Sequence, residues 1–307
     1  MTHVVLLRGG GDLASGVTLR LHRAGLRVLI TELAQPLAVR RTVSFAEAIY
    51  QGEITVEGIT ARRATDPDHA LQILQSNEIP VLVDPTAEIL LQPSDVPIGA
   101  TFNPHPSTFN PHPSTFNPHP SSFILHTLVD ARLTKHPHDA DIHAAPLVIG
   151  LGPGFIPSQN CHAAVETQRG HTLGRVYWDR PPESDTGLPE GDPARVLRAP
   201  TDGVLQNHAE IGERLKAGQR IAEVEGEPNE TVWVYPHTSS TVTAPFAGVL
   251  RGLLYPGLHV TRGMKIGDVD PRNDPRYCYL ISDKALAIGG GVLEAMLTWS
   301  EVRKQLW

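Results

Sequence analysis

The carboxyl-terminal half of this chain repeats itself, and that repeat constrains the fold more than any other feature. Ala199-Pro200-x-x-Gly203-Val204-Leu205 matches Ala244-Pro245-x-x-Gly248-Val249-Leu250 at an offset of 45 residues. The register then runs on without a gap. Gly212 pairs with Gly257, Leu215 with Val260, Gly218 with Gly263, Ile221 with Ile266 and Val224 with Val269. Periodic glycines of this kind mark turns between short strands whose apolar residues face one way. One such half cannot bury its own apolar face, so the two halves must pack together.

Over about 71 residues the half-motif resembles the biotinyl/lipoyl-carrier fold, a flattened β-sandwich of two interlocked halves. Composition decides whether the carrier chemistry follows. Carriers of that type present a modified lysine on the hairpin joining the halves. This chain has only Lys135, Lys216, Lys265, Lys284 and Lys304, and none lies between residues 225 and 243. We therefore expect no lipoyl or biotin, and a structural or partner-docking β unit spanning residues 195–270.

The amino-terminal half reads differently. Val4–Leu7 is a short apolar run of strand type, broken by Arg8-Gly9-Gly10-Gly11-Asp12 and followed by a helical pattern ending at Gly25. Arg27–Thr31 is a second strand, closing on Glu32. Gly9, Gly11 and Ala14 have the G-x-G-x-x-G/A spacing, and an acid about 20 residues on is where a dinucleotide's ribose is held. Residues without Cβ let the backbone approach a phosphate at the helix N-terminus. Asp12 reads either as a helix cap or as a charge where a pyrophosphate wants neutral amides, and Glu32 either as a ribose contact or as a solvated strand end.

Farther on, Ser44-Phe45-Ala46-Glu47 has capping-box spacing, and Glu53–Val56 with Ile59–Arg62 reads as a hairpin turning at Glu57-Gly58. Asp66 should cap a helix to about Gln75, and Val81–Val83 and Ile124–Val129 should be strands. A second glycine loop, Gly150-Leu151-Gly152-Pro153-Gly154-Phe155, leaves the strand Pro146–Ile149, and Ser158 or Asn160 should cap a helix carrying Ala163, Ala164 and Val165. The alternation of strand and helix predicts an α/β fold, Rossmann-like with a parallel sheet, over residues 1–180. Both glycine loops should then gather at the carboxyl edge of the sheet, facing one pocket for an anionic or nucleotide-like ligand or serving only as tight turns. The tail, residues 271–307, should form a strand at Tyr277–Ile281 and a helix after Gly289-Gly290-Gly291, capped upstream by Ser282-Asp283 and returning to the first domain.

Several function classes drop out. Net charge is −7, which leaves no electrostatic footprint for nucleic acid or an anionic membrane. No apolar stretch reaches the ~20 residues of a membrane span, and Met1-Thr2-His3 opens without a basic signal-type segment, so a cytoplasmic location is expected. Cys161 and Cys278 form no CxxC and read as buried, inert thiols. TFNPHPS occurs three times in residues 101–121 and supplies six of the 27 prolines, so the proline excess belongs in part to an insert. Pro at two positions in seven forbids helix there, and the stretch reads as a flexible insert at 101–122. Neither its His105, His112 and His119 nor the polar cluster of His136, His138, Asp139, Asp141 and His143 offers the stiff frame of a zinc centre, and no metal is expected.

Long blocks together resemble one family. They are Leu7–Gly16, Gln35–Phe45, Val148–Phe155, Glu166-Thr167-Gln168-Arg169-Gly170-His171 and Ser282–Gly291. The chain resembles the selenium-dependent molybdenum hydroxylase system proteins over nearly its full length, departing at the TFNPHPS insert and in a lengthened Glu227–Thr241 connector. The resemblance implies an accessory role in maturing such a hydroxylase, with the apoenzyme as partner. It implies no catalytic residues. Arg8, Asp12, Arg40, Arg41, Glu166, Arg169 and His171 lie inside the matching blocks and are candidate ligand contacts, with Gly9, Gly11, Glu32, Gly150, Gly152 and Gly154 lining the cofactor side. Arginine suits a pterin-cofactor phosphate or another oxyanion because it binds such groups bidentately. An NAD(P)-dependent oxidoreductase and a non-catalytic docking scaffold remain as alternative readings.

Overall fold

A computed structural model describes residues 2–91, 123–134, 139–186, 192–226 and 239–306. The TFNPHPS repeat with its three histidines, His136, His138 and most of the 227–241 connector lie outside the described residues. The architecture is mixed α/β, with one large sheet of parallel and antiparallel strands and two smaller antiparallel sheets.

The large sheet grows from the strand–loop–helix unit at the amino terminus. Strand β1 (Thr2–Arg8) leads through the glycines into helix α1 (Asp12–Arg23) and strand β2 (Val28–Glu32). Helix α2 (Ala48–Gln51) precedes the hairpin of β3 (Glu53–Val56) and β4 (Ile59–Ala64). Glu57 and Gly58 take positive φ at its tip, as a tight hairpin turn requires. Helix α3 (Pro67–Gln75) starts where Asp66 accepts the His69 amide, and β5 (Ile79–Val83) follows. Strands β6 (Phe123–Asp130), β7 (Leu147–Leu151), β8 (Ala163–Val165) and β9 (Val176–Tyr177) complete the order β3-β4-β5-β2-β1-β6-β7-β8-β9. Only the outer pairs β3–β4 and β8–β9 are antiparallel. The inner strands are buried on both faces, which is why they read as unbroken apolar runs.

The repeat folds by exchange. Its strands are β10 (Val196–Arg198), β11 (Gly203–Asn207), β12 (Arg214–Leu215) and β13 (Arg220–Glu225) in the first half. Their counterparts are β14 (Ser239–Thr243), β15 (Gly248–Leu253), β16 (His259–Val260) and β17 (Lys265–Asp270). The sheets have the orders β10-β17-β15-β12 and β14-β13-β11-β16. Each therefore takes two central strands from one half and both edge strands from the other. Leu205, Ile221 and Val224 pack against Leu250, Val260, Ile266 and Val269 in one shared core.

After β17 the chain returns to the large sheet. Helix α4 (Asp283–Thr298) opens on Ser282, whose hydroxyl accepts the Ala285 amide at 3.2 Å, and α5 (Ser300–Leu306) follows. The three glycines lie inside α4, not in a turn before it. A Cβ on Gly16 of α1 would sit 2.6 Å from the Ala285 backbone, and one on Gly289 would sit 2.7 Å from the Gly16 carbonyl oxygen. Small residues on both helices allow this approach, and Ala285, Ile288, Val292 and Met296 close the core over Val5, Leu7 and Val17.

Three further local expectations are corrected. Ala163–Val165 is strand β8, not helix, because Asn160 closes the preceding turn on itself, accepting the Ile156 amide at 2.8 Å and donating to the Gly154 carbonyl at 3.0 Å. Tyr277–Ile281 is not a strand. Asp274-Pro275 starts a 3-10 turn over Pro275–Cys278, with the Asp274 carboxylate accepting the Arg276 amide. The Ser44–Glu47 capping box does not form either: the Ser44 hydroxyl donates to the Arg40 carbonyl, and the Glu47 carboxylate accepts from Arg41 at 2.7 Å.

Candidate functional site

A cleft of about 940 Å³ opens where the carboxyl ends of β1, β2 and β6 meet the second-half strands β15 and β17. Nine arginines and lysines line it against five carboxylates. Its floor is the first glycine loop. Gly9 has φ +95°, a conformation open to glycine, and Gly11 faces space with no atom within 4 Å of where a Cβ would sit. Gly11 caps α1, and Asp12 is the first helical residue, 3.5 Å from Arg40. The cap reading of Asp12 is thereby replaced by an ion pair at the helix start.

Glu32 does more than end a strand. Its carboxylate accepts the Gly10 and Leu33 amides, each at 2.7 Å, so it clamps the loop from the neighbouring strand. Burial raises its pKa, and the two amides pull it part of the way back. Beside it, Arg8 is 5% exposed and donates to Asp139 at 2.7 Å, while its Nε has no hydrogen-bond partner. Arg132 bridges Asp130 and Asp139, and its hydrogen bonds, with Arg8 adding to them, hold the Asp139 carboxyl far below the usual range. Asp139 is therefore an arginine partner in this arrangement.

The opposite wall comes from the repeat. Asp268 is 1% exposed and sits among three cations: Arg251 at 2.7 Å, Lys265 at 3.7 Å and the ion-paired Arg195. Asp270 pairs with Arg272 at 2.5 Å and Arg251 at 3.5 Å, and the Arg272 hydrogen bonds lower its pKa. Arg40 reaches between the walls, donating to the Tyr277 and Leu280 carbonyls at 3.1 Å. Burial lowers its pKa; Asp12 opposes that and Arg251 adds to it.

Of the residues singled out in sequence, Arg8, Gly9, Gly11, Asp12, Glu32, Arg40 and Arg169 line the cleft together. The others do not. Gly150 is covered by the Phe155 ring, and a Cβ on Gly152 would meet the Thr167 hydroxyl at 2.5 Å; with Gly154, their loop is a packed turn away from the cleft. Arg41 instead ties the two units, donating to the Leu253 carbonyl at 2.8 Å and to Glu47. Glu166 is buried and clamps its own loop, accepting the Gln168 and Glu183 amides at 2.8 Å. His171 is exposed outside the cleft. Arg169 pairs with Asp283 at the rim, at 2.9 and 3.0 Å.

Arg195, Arg251, Lys265 and Arg272 escaped the sequence reading, which gave the repeat only a docking role. One signal was available: the departure from the repeat. Glu223 in the first half corresponds to Asp268, and Arg220 to Lys265, but Gln206 corresponds to Arg251. Glu223 meets Arg220 and His208 at a partly exposed site, whereas Asp268 is buried and pairs with the added arginine.

Among the described residues no helix is long and apolar enough to cross a membrane, and no three His, Cys, Asp or Glu converge as metal ligands. No family model matches the chain. It is 39% identical over 300 residues to the uncharacterized protein YqeB of Escherichia coli (strain K12), an alignment covering 96% of this chain and 47% of YqeB. The chain thus spans about half the length of that relative. Among solved structures, the apo form of the ectoine utilization protein EutE (DoeB) from Ruegeria pomeroyi aligns over 87% of this chain and 86% of that one, at 11% identity and a TM-score of 0.25. An aspartoacylase family protein from Mesorhizobium loti covers 25% of each chain at 9% identity and a TM-score of 0.22. Likenesses at that level carry no argument about this chain.

Proposed function

We propose that this chain is an accessory factor in the maturation of a selenium-dependent molybdenum hydroxylase, holding a nucleotide-like or oxyanion ligand between a Rossmann-like unit and a β unit of biotinyl/lipoyl type. The observation that carries the reading is the cleft, where cationic side chains outnumber carboxylates at the carboxyl ends of parallel strands. That edge is where open α/β sheets take ligands, and arginine is the residue suited to phosphate and oxyanion geometry. The succession of β1, glycine loop, α1, β2 and Glu32 supports the Rossmann-like description. The exchanged edge strands of the repeat support the carrier-like one. The maturation role itself rests on the matching sequence blocks.

Native mass spectrometry of the purified chain, followed by denaturing identification of whatever is released, tests the proposal. A molybdopterin species or other phosphate-bearing ligand, together with binding to a molybdenum hydroxylase apoenzyme, supports it. Bound nicotinamide with hydride transfer moves the reading to an oxidoreductase, which the Gly9-x-Gly11 spacing and Glu32 also suit. A co-purifying hydroxylase with no small ligand moves it to a scaffold.

A further inference from the structure

The two walls of the cleft differ in charge, and the difference runs against the order expected from the glycine motif. On the loop side, Asp130 and Asp139 already neutralise Arg8 and Arg132, and Asp12 faces Arg40. Arg169 pairs with Asp283 at the rim, and Glu32, Asp84 and Lys284 make up the rest, so this wall carries no excess of positive charge. One amide of the loop is also taken, since Gly10 donates to the Glu32 carboxylate. On the repeat side, Asp268 and Asp270 face four cations: Arg195, Arg251, Lys265 and Arg272. The buried carboxylates hold these side chains in place and leave positive charge in excess, and the Arg251 Nε has no hydrogen-bond partner.

We propose that the repeat, not the glycine loop, is the phosphate-binding wall: it receives the diphosphate of an organic ligand whose hydroxyl-bearing end lies against Glu32 on the loop wall. This inference rests on the reading of the cleft as a ligand site. Clustered guanidinium and ammonium groups satisfy the terminal oxygens of a diphosphate by charge-assisted hydrogen bonds. A carboxylate with two lone-pair positions left after accepting two amides suits a vicinal hydroxyl pair and repels phosphate. A cavity of about 940 Å³ is large for an inorganic anion and fits a ligand with both ends.

Calorimetric titration of the full chain with inorganic pyrophosphate and with ADP tests this. Wild type should bind both, ADP more tightly. Lys265→Gln and Arg195→Gln should each weaken both probes about tenfold or more, as expected for loss of a charged hydrogen bond. Gly11→Ala, which meets no atom, should leave pyrophosphate unchanged, and Glu32→Gln should weaken ADP toward the pyrophosphate value without affecting pyrophosphate. Thermal melts confirm that each variant is folded, and Lys265, being partly exposed, keeps the test open if Arg195→Gln is not. The proposal is overturned if wild type binds neither probe, if ADP binds no more tightly than pyrophosphate, or if Gly11→Ala weakens pyrophosphate while Lys265→Gln does not. Failure of hydroxylase association would sink the maturation role while leaving these titrations untouched.

Discussion

The two glycine loops leave their strands in the same way and end differently. The first, after β1, keeps Gly11 open to the cleft. The second, at the end of β7, is filled: Phe155 lies on Gly150 and Thr167 on Gly152. What separates them is the residue that follows the glycines. Asp12 and Leu13 start a helix that points away from the loop, whereas Phe155 folds back onto its own strand. Glycine spacing thus reports the path of the backbone, and the next large side chain decides whether the space is for a ligand or for the core.

Substitution should separate the loops most sharply. Gly150→Val drives a branched side chain into the Phe155 ring, and we expect about 3 kcal/mol lost in denaturant unfolding. Wild-type stability would mean that the second loop is as open as the first. Cys161, buried beneath the same turn, has its thiol pushed up to about 12 by burial, so alkylation should require unfolding; rapid labelling of native protein would say otherwise. Gly9→Ala should cost about 1–2 kcal/mol, because φ is positive there while the space itself is nearly sufficient.

A smaller effect is a pH slope. Glu32 has a raised pKa, so its contribution is fully present below the ordinary carboxylate range and is lost as pH rises through the folded value. Glu32→Gln should therefore show less loss of stability than wild type between pH 4 and pH 7, measured in parallel denaturant titrations. Equal slopes would mean that the clamp on Gly10 carries no titrating charge. At the rim, Arg169→Ala should change stability at pH 7 by no more than about 0.5 kcal/mol, since the pair is exposed. Arg169 holds Asp283 at about 2, so whatever the pair contributes is present above the ordinary aspartate range and fades as pH falls toward that value.

Much of this was legible from residues alone. The apolar runs of β1, β2, β5, β6 and β7 announced buried parallel strands, and Asp66 announced its helix, whereas the helix expected after the three glycines starts upstream of them at Ser282. The offset of 45 announced two equivalent β halves, though not that they would trade edge strands. What sequence could not show was competition for hydrogen bonds. Asn160 closed a turn it was expected to leave, and Arg41 took the carboxylate that Ser44 needed. The cleft was half visible: the loop wall lies in one block of sequence, whereas Arg195, Arg251 and Lys265 become neighbours only once β10, β15 and β17 lie side by side.

That exchange of strands has a consequence for how the chain is made and broken. Neither half of the repeat owns a complete sheet, so residues 196–225 have no finished partner until the strands through Asp270 have emerged. The wall that carries Arg195, Arg251 and Lys265 therefore cannot assemble until β17 has emerged. Conversely, a protease cut within residues 227–238 would sever the chain without separating the pieces, because each fragment would still supply both edges of the other's sheet. Two separately produced fragments divided there should find each other and rebuild the unit, as interlocked hands do.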